Sequence, residues 1–133
     1  MDVALTAKDT LRDSGIEAFR ALFDGEAEFR VLTGAKPATC ETAESGTLLG
    51  SIPLADPFFA VSVEGLLEGA CPFSDLDMNA GTAGYWRIDA AGGGCLAQGT
   101  VATSGADLNL SSVLFAASDT LTVTQFDFNV TVT

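Results

Sequence analysis

The chain has 133 residues with 18 acidic and 6 basic side chains, no histidine and a net charge of −12. That length suits one domain able to bury about two thirds of the surface its unfolded form exposes, and 47% hydrophobic against 18% charged residues excludes a disordered chain. So large an excess of acid repels phosphate backbones and anionic lipid, so no nucleic acid and no membrane is expected as a partner.

The acid is unevenly placed. Residues 1–36 hold seven acids and five bases, among them Arg20, Arg30 and Lys36, whereas residues 37–133 hold eleven acids and a single base, Arg87. No apolar run reaches the ~20 residues of a membrane span, and the start lacks the basic stretch and apolar block of a secretion signal. Synthesis and use in a cytoplasm, or release by lysis, is the expectation. On that basis Cys40, Cys71 and Cys95 read as small buried thiols, with a Cys40–Cys95 bridge in the released product as the alternative.

In chain order, Ala4, Ala7, Leu11, Ile16, Phe19, Leu22 and Phe23 recur at three- and four-residue spacings, which draws an amphipathic helical segment over residues 1–25. Ser14 and Glu17 form a capping box that allows a restart near Asp13 to Gly15, and Gly25 supplies the stop. The helix either covers one end of the following domain or docks on a partner. From Glu26 the pattern changes to alternation, the mark of strands with one buried face. Ala27, Phe29 and Val31 are expected inside and Glu26, Glu28 and Arg30 in water; Leu48, Ile52 and Leu54 mark a second strand, Val61 and Val63 a third.

Tyr85 to Ala90 places Trp86 and Ile88 on one face and Arg87 and Asp89 on the other. It runs through Ala91-Gly92-Gly93-Gly94 into Cys95 to Val101, the clearest hairpin in the chain. A further turn at residues 103–107 leads into Asp107 to Leu110. In the last strand the apolar parity shifts between Val123 and Phe126, which predicts a β-bulge at Thr124 to Gln125. Residues 26–133 thus read as an antiparallel β-sandwich or jelly roll of about seven or eight strands, in a mainly β single domain, residues 1–133, with an N-terminal amphipathic helix.

Chemistry finds few footholds. Without histidine there is no Ser–His triad and no His-activated cysteine, and Gly92-Gly93-Gly94 lacks the lysine of a phosphate loop. Asp75, Asp77 and Asn79 begin like a calcium loop, but Gly81 comes one place late and Trp86 stands where a closing glutamate belongs, so they read as a solvated acidic loop. No catalytic residue, metal or cofactor is expected. Phe58 and Phe59 are adjacent and cannot both point inward from an ideal strand: either both are buried at a sandwich corner, or one is exposed at an interface, which makes them interface candidates together with Leu11, Phe19 and Phe23. A carbohydrate platform would have to use Tyr85 beside Trp86.

Five segments occur in a suggestive order: Thr47-Leu48-Leu49-Gly50-Ser51-Ile52-Pro53-Leu54, Ala80 to Ile88, Cys95 to Val101, Thr103 to Leu110, and Leu121-Thr122-Val123-Thr124. Together they resemble small structural proteins of tailed bacteriophages and prophages, of the decoration, cement or fibre type. The resemblance carries no catalytic motif and transfers a setting with no site residues. It implies a non-enzymatic virion component, first a capsid decoration protein that forms a homotrimer on the outer shell and binds the major capsid protein. A head-fibre, tail-fibre or neck component comes next, and a carbohydrate-binding β module after it.

Overall fold

The computed structural model describes residues 8–60 and 66–129, with side-chain environments from residue 15 onward and up to residue 128. The expected strand at Val61 and Val63, the side chain of Leu11, and Val130 and Val132 lie outside these. The described elements are α1 (Lys8–Ala21), β1 (Glu28–Thr33), β2 (Leu48–Pro53), β3 (Leu66–Glu68), β4 (Phe73–Met78), β5 (Gly81–Asp89), β6 (Cys95–Ala102), β7 (Leu108–Asn109), β8 (Leu114–Phe115), β9 (Asp119–Val123) and β10 (Asp127–Asn129). The chain is mainly β.

The helix α1 runs without a break past Gly15, so no restart is used there. Ile16 and Phe23 are buried, and the chain then turns through Gly25 and Glu26, both at positive φ. Positive φ costs glycine nothing and lets the chain reverse directly into β1.

One mixed sheet has the order β2-β1-β5-β6-β7, with β8 paired to β5. The hairpin of β5 and β6 is present, with Trp86 opposite Gly99 and Arg87 opposite Gln98. One pair departs from the antiparallel expectation: β7 runs parallel to β6, Val101 facing Leu108. The connecting loop turns the chain fully round, with Gly105 at φ 72° and the Asp107 carboxylate accepting from the Thr100 amide at 3.0 Å.

Two ribbons, β3 with β10 and β4 with β9, complete the described strands. Their registers nearly continue one another, Glu68 facing Asp127 and Phe73 facing Val123. Between these points one strand spends residues 69–72 and the other residues 124–126. The expected parity shift is therefore real in the burial of Leu121, Val123 and Phe126. It is realised as a break between two short strands, with the extra residue on the opposite side, and not as a bulge at Thr124 to Gln125.

The core is aromatic. Phe29 and Trp86 from the mixed sheet meet Phe73 and Phe126 from the ribbon segments and Phe58 from the segment after β2. Phe19 and Phe23 of the helical segment join through Phe59 and Phe128. Each fully buried ring contributes about 1.5–3 kcal/mol by burial, and well-placed ring pairs add about 0.5–1.5 kcal/mol.

Candidate functional site

Three of the five interface candidates belong to this core. Phe23, Phe58 and Phe59 are all buried, and Phe19 is half-buried against Phe23 and Phe128. Phe58 and Phe59 both point inward because their segment is not a regular strand. It touches its neighbour through a single bridge, Phe59 to Gly69, and Gly69 has no side chain to block the Phe58 ring. The apolar side of the helical segment likewise packs on its own β body at Ile16 and Phe19 of α1 and at Phe23 just after it, the covering arrangement. Leu11 sits within α1, its side chain outside those described.

What alternation missed is a strap. Residues 34–47, between β1 and β2, lie across the face of β1, β5 and β6 that was expected to meet water. Gly84 lies directly under Gly34, where any Cβ would strike the Gly34 carbonyl. The Tyr85 hydroxyl donates to the Ser45 carbonyl at 2.6 Å and accepts from the Ser45 amide at 3.0 Å. Arg87 is only 4% exposed: Nη1 donates to the Thr42 carbonyl at 2.9 Å and Nη2 to Gln98 Oε1 at 2.7 Å. Gln98 passes the contact on, its Nε2 donating to the Pro37 carbonyl at 2.8 Å. Cys40 and Cys95 form a disulfide, Cα to Cα 5.4 Å, that ties the strap to the start of β6.

Two expectations are corrected by this arrangement. Cys40 and Cys95 are paired, so only Cys71 remains a thiol, and burial followed by the nearby Asp127 charge pushes its pKa up. Arg87 and Tyr85 are buried, which removes the exposed Tyr85–Trp86 platform; Trp86 itself is core.

Along the strap's edge Arg30 forks onto Glu44, Nη2 at 2.6 Å and Nε at 3.1 Å, and reaches Glu28 at 2.6 Å through Nη1. The hydrogen bond to Glu44 is the largest cause of the rise in the Arg30 pKa, which keeps it charged. Glu28 is held below its ordinary range, first by the hydroxyl of Ser51 and then by Arg30, against an opposing burial effect. Asp89 goes the other way: burial raises its pKa, and Arg30 at 3.8 Å offsets this only in part. These groups border a hollow of about 460 Å³ lined by the disulfide, Arg87, Asp89 and Glu44.

Asp75, read as part of a solvated loop, lies in β4. Its Oδ2 accepts from the Ser51 amide at 3.0 Å, and Asn79 donates to Leu49 and Leu48 carbonyls at 2.8 and 3.2 Å. These polar atoms close the outer edge of β2. Among the described residues no group of three or more His, Cys, Asp or Glu is placed to hold a metal ion, and no helix is long and apolar enough to cross a membrane.

No family model, curated protein or solved structure matches the chain.

Proposed function

We propose that this chain is a non-enzymatic structural protein of a bacteriophage particle, and within that class a capsid decoration protein. In this reading the two ribbons and the mixed sheet act as the layers of a β-sandwich, a homotrimer stands on the outer capsid surface, and the major capsid protein is its partner.

The observation that supports the reading is the charge polarity of the folded chain. Arg87 is the sole base of residues 37–133 and it is buried beneath the strap, while the remaining bases fall in residues 1–36. Apart from Arg30, held by Glu44 and Glu28, and Lys36 of the strap, the β body thus turns carboxylates to solvent, and the helical end, with three bases to five acids in residues 1–25, differs from it. Densely arrayed copies of such a body repel one another away from their designed contacts, and the less acidic end is the side suited to a shell. Many identical contacts then add up, although each standard interface buries only about 1,600 Å².

The test is the copy number of the protein per purified virion, measured by quantitative mass spectrometry against the major capsid protein. A ratio between one to one and one to a few is expected. A handful of copies would replace decoration by a tail, neck or fibre role, and absence from the particle would end the virion reading.

A further inference from the structure

Among the described residues one flank of the β body is open. The mixed sheet ends there in β6 and β7, and across from it β9 and β10 each have one strand neighbour among the described residues, β4 and β3. Two clefts of about 380 and 310 Å³ lie between these edges, and because they share Leu108 and Gln125 they form one groove.

Leu108, Leu121 and Val123 give the groove an apolar lining, and at one end Leu114 is 68% exposed, a large apolar side chain with nothing over it among the described residues. At the other end lies Trp86, 4% exposed, whose indole reaches across Gly99 of β6. Its Nε1 is a buried donor without an acceptor among the described residues, a condition that costs free energy until an acceptor arrives. The rim carries the exposed carboxylates Asp107, Asp119 and Asp127, and among the described residues no lysine or arginine lines either cleft.

We infer that this groove binds an extended segment of a second polypeptide, added as a strand along the open edges, whose side chains alternate between apolar and basic. Strand addition takes affinity from main-chain hydrogen bonds and specificity from alternate side chains. Here the apolar set meets the groove floor and the basic set the three carboxylates. The inference does not rest on the virion reading.

Trp86 is the only tryptophan of the chain, so its emission reports the groove directly. The experiment titrates the intact, disulfide-bonded protein with an acetylated peptide of roughly seven residues alternating valine and lysine, about 23 Å when extended. Saturable binding with a shift in Trp86 emission is expected, and glutamate in place of lysine should weaken it at least about tenfold. N-methylation of alternate amides should abolish the shift in one of its two registers and spare the other. Asp127→Lys, at an exposed position, should weaken binding by about fivefold with thermal unfolding unchanged. Equal binding of both methylated peptides, no emission change at saturating peptide, or a shift produced by a neutral oligosaccharide in place of the peptide would each overturn the inference.

Discussion

Arg30 and Arg87 stand directly opposite each other on β1 and β5, two like charges on one face of the sheet. The arrangement holds because each is answered differently: Arg30 by the carboxylates of Glu44 and Glu28, Arg87 by the Thr42 carbonyl and the Gln98 amide. Asp89, next to both, has its pKa raised by burial, with the Glu44 and Glu28 charges adding to it, against the lowering by the two cations, so its ionised form is disfavoured in the fold. A carboxylate with a raised folded pKa contributes stability at low pH and loses it as pH rises through that value. Asp89→Asn is therefore expected to raise the melting temperature at pH 7, with the gain vanishing near pH 3 where both proteins carry a neutral side chain. Glu28 has the opposite sign: its folded pKa lies below its ordinary 4.5, so its contribution is present above that pH and is lost as acid is added. Glu28→Gln should accordingly flatten the acid side of a stability-against-pH curve. Beneath the strap, Gly84→Ala forces a methyl group onto the Gly34 carbonyl. Urea unfolding should show a loss of about 1–3 kcal/mol, the usual cost of overpacking.

The strap is the element that sets the character of the outer face. It forms no strand over residues 34–47, yet it is bonded at Ser45, Thr42 and Pro37 to side chains of two adjacent strands, β5 and β6, and anchored covalently at Cys40. The bridge closes a separation of 55 residues, for which chain-entropy arguments give about 4 kcal/mol. Replacing Cys40 and Cys95 together by serine should lower the unfolding free energy by roughly that amount. Hydrogen exchange should rise first in residues 38–47, while β1 and β5, central in the sheet and backed by the aromatic core, keep their protection. If exchange rose equally everywhere, the strap would be no separate unit. The ribbons behave differently, since β4 and β9 are joined to the mixed sheet through the Asp75 and Asn79 contacts to β2 and through buried rings.

At the scale of the whole molecule, net charge dominates. With −12 on a small chain, self-repulsion opposes the compact state, and salt shortens the Debye length from about 30 Å at 0.01 M to about 8 Å at 0.15 M. The melting temperature should rise by several degrees over that range, as differential scanning calorimetry would show. Where one sheet face packs and the other is wet, alternation alone placed residues correctly: Ala27, Phe29 and Val31 inside, and the β5–β6 hairpin across its glycine turn. The parity shift after Val123 was equally legible, though not the way the ladder breaks there. The burial of Arg87 and Tyr85 was hidden because alternation assumes that the second face meets water, and a polar strap leaves no hydrophobic period of its own. The adjacent Phe58 and Phe59 left burial at a corner and exposure at an interface both open, because an irregular segment need not alternate; the structure buries both. The groove was hidden because its two edges, near Gln98 and Gln125, come from distant parts of the chain. Composition and period by themselves determined a mainly β, acidic chain with Phe29 and Trp86 facing inward, since burial of apolar surface writes itself into local spacing. The cysteine pairing, the covered face and the open flank were decided only by tertiary structure, because each depends on which remote segments the folded sheet brings together.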